Sequence, residues 1–155
     1  MNDSAPFAPG PEDLMQHPGH LLRRALQAMN ELWDEEVSHT ITSPQFAALN
    51  ALYCEPGLDQ RTLGRRISLD RSTVAEVVAR LSSRGLIRTE RDSRDARRKV
   101  IRLTTRGLHS VQQLIPRTHV MTRRLVGALD GPGQDELLRL LTRVVIDAEE
   151  RRGGT

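Results

Sequence analysis

Residues 69–88 read LDRSTVAEVVARLSSRGLIR, and this stretch decides the fold. Asp70 is placed to cap a helix, and Gly85 can adopt the left-handed conformation that ends one. One apolar stripe at helical spacing consists of Val74, Val77, Val78 and Leu81. The opposite face is small and polar, with Ser72, Glu76, Ala79 and Ser83 at its centre and Thr73 and Arg80 at its edge. Such a face can approach base edges closely, so the pattern predicts a helix suited to a DNA groove.

Two β-prone stretches follow this helix, Leu86–Glu90 and Lys99–Leu103. They enclose RDSRDARR, residues 91–98, and the arrangement predicts a two-stranded wing. Four guanidinium groups among these eight residues would repel one another. We therefore expect the loop to be held together by Asp92 and Asp95, or to be covered by a polyanion.

Two helices are predicted upstream of this unit. Apolar residues at helical spacing between positions 22 and 37 predict an amphipathic helix that starts near Gly19. The sequence TSPQ at Thr42–Gln45 is typical of a capping box, in which the threonine hydroxyl and the glutamine side chain each satisfy a backbone amide. It predicts a second helix over Ser43–Cys54, which the following Pro-Gly ends.

A short third helix is predicted between the second helix and residue 69. Asp59 can cap it, and Leu58 is placed to pack on Leu63 as a hydrophobic staple. With the helix at 70–85, this makes a helix-turn-helix followed by a wing. We expect the third helix to end near Ser68.

Two longer helices are predicted downstream of the wing. Thr104 can cap a helix from Thr105 to about Leu129, which Pro116 should kink. Gly131-Pro-Gly133 is expected to break the chain, and a last helix should run from about residue 134 to 151. Leucines and valines repeat at helical spacing in this last helix, which is too apolar to stand alone and requires a partner surface.

The positive charge is concentrated in one third of the chain. Residues 61–106 hold fourteen basic and five acidic residues, a net +9, whereas the remainder holds nine basic and fifteen acidic, a net −6. One face that meets phosphate while the rest stays soluble would have this distribution. Aromatic residues make up only 3% of the chain, too few for a single-strand stacking platform, so duplex DNA is the expected partner.

Length and motifs exclude other classes. The 155 residues fill one domain or one subunit, and no run reaches the ~18 to 20 apolar residues of a membrane span. The first eleven residues lack the features of a signal peptide, so a cytoplasmic location and no membrane partner are expected. The five histidines form no ligand set for a metal, and no hydrolase, phosphate-loop or dinucleotide motif occurs. The sequence therefore predicts a protein that is not an enzyme and has no cofactor or metal.

These elements together resemble the MarR family of transcriptional regulators. The similarity runs from about Leu21 to the C-terminus and is carried by residues 69–88 and by the wing RDSRDARRKVIRLTTRG at 91–107. The usual wing of the family reads Asp, two residues, Asp, Arg, Arg. Here Asp92, Asp95 and Arg97 match, while Ala96 replaces the first arginine. Either Arg94 or Arg98 could then brace the wing.

The resemblance implies a mainly α fold with a small β wing, a winged helix-turn-helix inserted in a helical dimerisation domain. Residues 1–18 would form a flexible arm, residues 19–40 and 105–155 the dimerisation region, and residues 41–104 the DNA-binding region. It implies a homodimeric repressor of a palindromic operator, released by a small aromatic acid or its coenzyme A thioester. Activation, a thiol switch through Cys54 and a winged-helix module that binds protein rather than DNA are the alternatives. Cys54 is also interpreted as a small buried apolar group.

Three groups of residues are the candidates for DNA contact. The base-facing candidates are Arg71, Ser72, Thr73 and Glu76; the phosphate candidates are Arg65, Arg80 and Arg84; the wing candidates are Arg94, Arg97 and Arg98. The resemblance places an effector pocket between the first, second and kinked fifth helices. Its candidates are the apolar Met29, Trp33 and Phe46, for which core packing is the alternative, and the cations His39, Arg117 and Arg124.

Overall fold

The computed structural model of the chain describes residues 14–93, 95 and 97–153. The predictions for residues 1–13, for Arg94 and for Ala96 lie outside the described residues. After a 3-10 turn at Leu14–Gln16, the elements are α1 (Pro18–Leu32), a π-helical turn (Trp33–Val37), α2 (Ser43–Cys54), α3 (Gln60–Arg66), α4 (Arg71–Ser83), β1 (Ile87–Arg91), β2 (Lys99–Leu103), α5 (Thr105–Leu125) and α6 (Gly131–Gly153). The chain divides after Met121 into two compact units, which are described separately.

The predicted caps start the helices of the first unit. The amide of Gln45 donates to the Thr42 hydroxyl at 3.4 Å, and the Thr42 amide donates to the Gln45 side chain at 3.2 Å, which completes the capping box of α2. Asp59 accepts from the Thr62 amide at 2.9 Å and caps α3. Thr104 caps α5 by accepting from the Gly107 amide at 3.0 Å. These starts, and that of α4 after Asp70, are confirmed.

The core of the first unit lies beneath α4 and the wing. All four residues of the predicted α4 stripe are buried, and α4 ends before Gly85, whose φ of +67° is the expected left-handed stop. Leu49, Leu63 and Val111 are completely buried in the same cluster, which joins α2, α3 and α5 to α4. Because the apolar stripe of α4 packs on this core, the opposite, polar face of α4 is exposed.

The wing is a two-stranded antiparallel sheet, as predicted. Its register pairs Ile87 with Leu103 and Arg91 with Lys99, so β1 begins and ends one residue later than expected. A bridge from Leu58 to Ile101, with the Ile101 amide donating to the Leu58 carbonyl at 2.8 Å, ties the wing to the segment before α3. This bridge was not predicted, because residue 58 belongs to no strand pattern.

The first helix differs from its prediction. It was expected to continue as one amphipathic helix to Val37, but α1 ends at Leu32 and a π-helical turn follows, in which the Ser38 amide donates to the Trp33 carbonyl at 3.0 Å. The wider turn allows Trp33 and Val37 to be buried together.

The C-terminal helices also have different bounds. The fifth helix ends at Leu125 rather than about Leu129, and a turn around Gly127 follows. The expected break at residues 131–133 is instead the first turn of α6, because Asp130 accepts from the Gly133 amide at 2.9 Å and a proline in a first turn loses no helical bond. The helix therefore begins three residues before its predicted start.

Helices α1 and α6 each expose a row of apolar side chains in the single chain. On α1 these are Leu21, Leu22 and Leu26, and on α6 they are Leu138, Leu140, Leu141, Val144, Val145 and Ile146. Exposed stripes of this size require a covering surface. None of the helices in the described part of the chain is both long and apolar enough to cross a membrane.

Candidate nucleic-acid interface

The N-terminus of α4 is organised by the carboxylate of Asp70. It accepts from the amides of Ser72 and Thr73, both at 2.9 Å, and from their hydroxyls at 2.5 and 2.6 Å. The two hydroxyl bonds, followed by the backbone bonds, hold the pKa of Asp70 well below its usual range. Since each hydroxyl donates its only proton to Asp70, both oxygens remain available only as hydrogen-bond acceptors.

The other α4 candidates lie on the side away from the core. Arg71, Ser72, Glu76 and Arg80 are exposed, whereas Thr73 is half-buried. This is the face that the sequence assigned to a groove. The structure therefore brings together the four base-facing candidates at the first half of α4.

A concave surface between α3 and α4 was not predicted. A cavity of about 550 Å³ lies there, and its rim includes Arg61, Arg65 and Arg71. The helices approach closely at Gly64, where an added Cβ would lie 3.2 Å from both the Leu69 carbonyl oxygen and Val74. Arg61 is the residue that sequence analysis missed, and the basic residues at 61, 65 and 71 are the signal that could have found it.

Arg84, a phosphate candidate, has a partner within the protein. It follows the last residue of α4, is half-buried, and its guanidinium donates to the carbonyl of Thr40. The two residues lie 44 positions apart. Sequence spacing gave no indication of this contact.

The wing loop is held together by Arg98. Its guanidinium lies 3.2 Å from the Asp59 carboxylate and 3.9 Å from that of Asp92. Its amide donates to the Asp95 carbonyl, and its carbonyl accepts from the Asp92 amide, both at 2.9 Å. Arg98 therefore braces the wing despite the alanine at position 96, and it connects the wing to the cap of α3. Bonds from Thr62, with a smaller contribution from Arg98, lower the pKa of Asp59.

Arg97 is exposed in the described part of the wing loop. Its amide donates to the Asp95 carboxylate at 3.0 Å, so both expected acids help to hold the loop. At the base of the wing, Glu90 lies 2.9 Å from Arg88 and 2.6 Å from Arg102. These guanidinium contacts, with Arg88 first, lower the pKa of Glu90.

The effector candidates fall into separate groups. The rings of Trp33 and Phe46 lie 5.5 Å apart at 52°, and Phe46 and Met29 pack against the core cluster that contains Trp33. Arg117 donates to the Val37 carbonyl at 3.2 Å, which brings a cation to the same π-helical turn. His39 is exposed. Arg124 lies beyond Met121, in the second unit.

Cys54 is exposed, so the interpretation of this residue as buried is wrong. The buried face of α2 is formed by Gln45, Ala48, Leu49 and Leu52. Residue 54 lies two positions past Leu52, about 200° around the helix from it, and so falls on the other side. Tyr53 is likewise 40% exposed.

A helix-turn-helix whose second helix presents a polar face, followed by an arginine-rich wing, defines a winged helix-turn-helix protein. The family model described as MarR family matches residues 39–98, which span α2 to the wing loop. The HTH-type transcriptional repressor NicR of Pseudomonas putida is 30% identical over 151 residues, 97% of this chain and 95% of that protein. This chain belongs to the MarR family of transcriptional regulators, and the predicted family and fold class are confirmed.

Two solved structures of the family are similar over most of the chain. The PcaV transcriptional regulator of Streptomyces coelicolor, in complex with its natural ligand, is 49% identical; the match covers 88% of this chain and 96% of that one, with a TM-score of 0.83. BpsR of Bordetella bronchiseptica, whose DNA binding is regulated by 6-hydroxynicotinic acid, is 27% identical over 82% of this chain and 97% of that one, with a TM-score of 0.74.

Proposed function

We propose that this protein is a ligand-responsive repressor that binds a palindromic operator as a homodimer. The observation that carries the proposal is the state of the acids in the basic segment. Four of the five acids have partners in the protein: Asp70 is bonded to α4, Glu90 to Arg88 and Arg102, and both wing aspartates to the wing itself, while Glu76 is exposed on α4. The exposed arginines around them therefore leave a cationic surface, which suits the phosphates of duplex DNA.

Base recognition is assigned to the first half of α4. The Ser72 and Thr73 oxygens are acceptors, so they suit the amino groups of adenine and cytosine in the major groove. Glu76 also suits cytosine, while Arg71 suits guanine. Arg65 and Arg80 would contact phosphates, and Arg97 would enter the neighbouring minor groove with Arg94.

The homodimer is supported by the exposed apolar stripes of α1 and α6. A second copy of the chain would cover them, in keeping with dimerisation by residues 19–40 and 105–155 and DNA binding by residues 41–104. Two subunits would display two α4 helices, which suits a palindrome with half-sites about one helical turn apart.

A small aromatic acid is the proposed effector. The Trp33–Phe46 pair provides ring surface, and Arg117 provides a cation at the adjacent turn. His39, which is exposed, is a further candidate cation. BpsR responds to an aromatic acid of this class, and PcaV is 49% identical to this chain. A coenzyme A thioester is the larger alternative, and a thermal-shift screen of both series tests the choice because a bound ligand raises the melting temperature.

Operator binding is tested by selecting duplexes from a random pool with the intact protein. The selected sequences should contain an inverted repeat, and affinity should fall steeply with salt. Arg97→Ala should weaken binding about tenfold or more, whereas Arg143→Ala, outside the basic segment, should leave it unchanged. If no duplex is enriched, the proposed repressor function is wrong and a winged-helix module that binds protein rather than DNA is favoured.

The exposure of Cys54 favours a second candidate, the thiol switch. If it operates, peroxide should release the selected duplex from the protein and Cys54→Ser should abolish that release. A duplex that stays bound in peroxide excludes this mechanism. The sign of control, repression or activation, depends on where the operator lies relative to the promoter.

A further inference from the structure

The segment from the last residue of the π-helical turn to the residue before α2, residues 37–42, accepts hydrogen bonds from side chains of three other parts of the chain; we call it the connector. Three of its carbonyls accept bonds from long side chains. Arg117 of α5 donates to Val37 at 3.2 Å, Arg84 after α4 donates to Thr40, and the Trp33 indole donates to Ile41 at 2.7 Å. The connector is therefore the place where α5 and the end of α4 meet through hydrogen bonds.

The connector is also stiff within itself. The Ser38 hydroxyl oxygen accepts from the Thr40 amide at 3.1 Å and from the Ile41 amide at 2.9 Å. The side chains of Val37 and Ile41, one at each end of this turn, are only 1% and 6% exposed. Because of these bonds, we expect a displacement of the Val37 carbonyl to be transmitted to Thr40.

We propose that Arg84 is a positioning residue, which sets the end of α4 against the connector, and that Arg117 acts on α4 through the same connector. The inference rests on the proposed function and assigns its regulation. A guanidinium on a neutral carbonyl has a weaker bond than one on a carboxylate. The carboxylate of an aromatic acid beside Trp33 and Phe46 therefore replaces the Val37 carbonyl as the acceptor for Arg117. The connector then shifts, and its bond with Arg84 transmits the shift to the end of α4.

The salt dependence of operator binding separates positioning from phosphate binding. Removal of one arginine that binds a phosphate lowers the slope of log affinity against log salt by about 0.9. Arg84→Ala should weaken binding about tenfold, as expected for one charge-assisted bond, with the slope unchanged. Arg80→Ala, the matched control on the exposed face of α4, should lower the slope by about one. A slope that falls by about one in Arg84→Ala overturns the assignment.

A double-mutant cycle tests the connector itself. Each single variant lowers operator affinity by some factor. If Arg84 and Arg117 act through one segment, the affinity of the Arg84→Ala/Arg117→Ala double variant should fall by a factor about threefold or more below the product of the two single factors. Arg80→Ala with Arg117→Ala should be multiplicative. Multiplicative losses for both pairs overturn the coupling. No effector is needed for this measurement.

Separate controls distinguish a folding defect, a failure of the proposed function and a failure of this inference. Circular dichroism and gel filtration check every variant, and Arg84→Met, which keeps the apolar stem, replaces Arg84→Ala if that variant melts early. If the unaltered protein selects no duplex, the proposed function has failed. If it binds but Arg84 behaves as a phosphate-binding residue with independent effects, only this inference has failed.

Discussion

Gly107 lies in the first turn of α5, directly against the carbonyl of Leu86 at the start of the wing. A Cβ on Gly107 would lie 1.9 Å from the Leu86 oxygen and 2.9 Å from its carbon. The same oxygen accepts from the amide of Thr104 at 3.0 Å, and the Thr104 hydroxyl, which donates to the Gly85 carbonyl at 2.7 Å, lies 3.2 Å from it. Gly107→Ala must therefore push this carbonyl away by about an ångström or more and break the junction between the wing and α5.

The cost follows from these contacts. The broken hydrogen bond from the Thr104 amide contributes about 1 kcal/mol, and overpacking contributes about 1 to 3 kcal/mol. The better helix propensity of alanine offsets about 1 kcal/mol. The free energy of unfolding should thus fall by about 1 to 3 kcal/mol, and the melting temperature by about 2 to 12 °C.

Urea unfolding followed by circular dichroism measures this difference, at one protein concentration because a dimer is expected. Gly19→Ala is the matched control, since a Cβ there meets nothing within 4 Å and should not lower stability. Equal stability of Gly107→Ala and the unaltered protein would show that the carbonyl moves freely, and would refute the reasoning. Operator affinity should fall with stability, because the wing is attached at this junction.

Three further predictions concern the caps and the wing brace. Thr42→Ala removes an acceptor of the capping box and should lower the free energy of unfolding by about 1 kcal/mol, measured in urea; no change would mean that Gln45 alone starts α2. Because the folded pKa of Asp70 is depressed, its stabilisation is present above the usual value of 3.8 and is lost as the pH falls below it. Asp70→Asn should therefore lose less stability on acidification, whereas parallel acid curves would contradict this. Asp59→Asn keeps the α3 cap but weakens the pair with Arg98, so hydrogen exchange at the Arg98 amide should accelerate while stability changes by less than about 1 kcal/mol; unchanged exchange would assign the brace to the loop alone.

The starts of the helices could be predicted because caps are local. Thr42, Asp59 and Asp70 each bond to an amide two or three positions ahead, so the signal lies within one helical turn of sequence. The wing strands followed from composition for the same reason. At residues 131–133 the expected break was wrong, since Pro132 lies in a first turn where it is tolerated.

Features that depend on distant partners could not be predicted. The contact of Arg84 with Thr40 and the pair of Arg98 with Asp59 join residues about forty positions apart, and an exposed arginine looks the same in sequence as a bonded one. The exposure of Cys54 depended on which side of α2 faces the core. The π-helical turn arises because two bulky side chains must be buried together, which a regular helical period does not show.

The indole at position 33 has a practical consequence. It belongs to the only tryptophan of the chain, and it is 6% exposed, bonded to a backbone carbonyl and close to one other ring. Its ultraviolet emission therefore comes from a single, dry location, so any shift in colour or yield reports on that location alone. Binding of candidate aromatic acids can therefore be followed by the intrinsic fluorescence of Trp33, without attaching a dye.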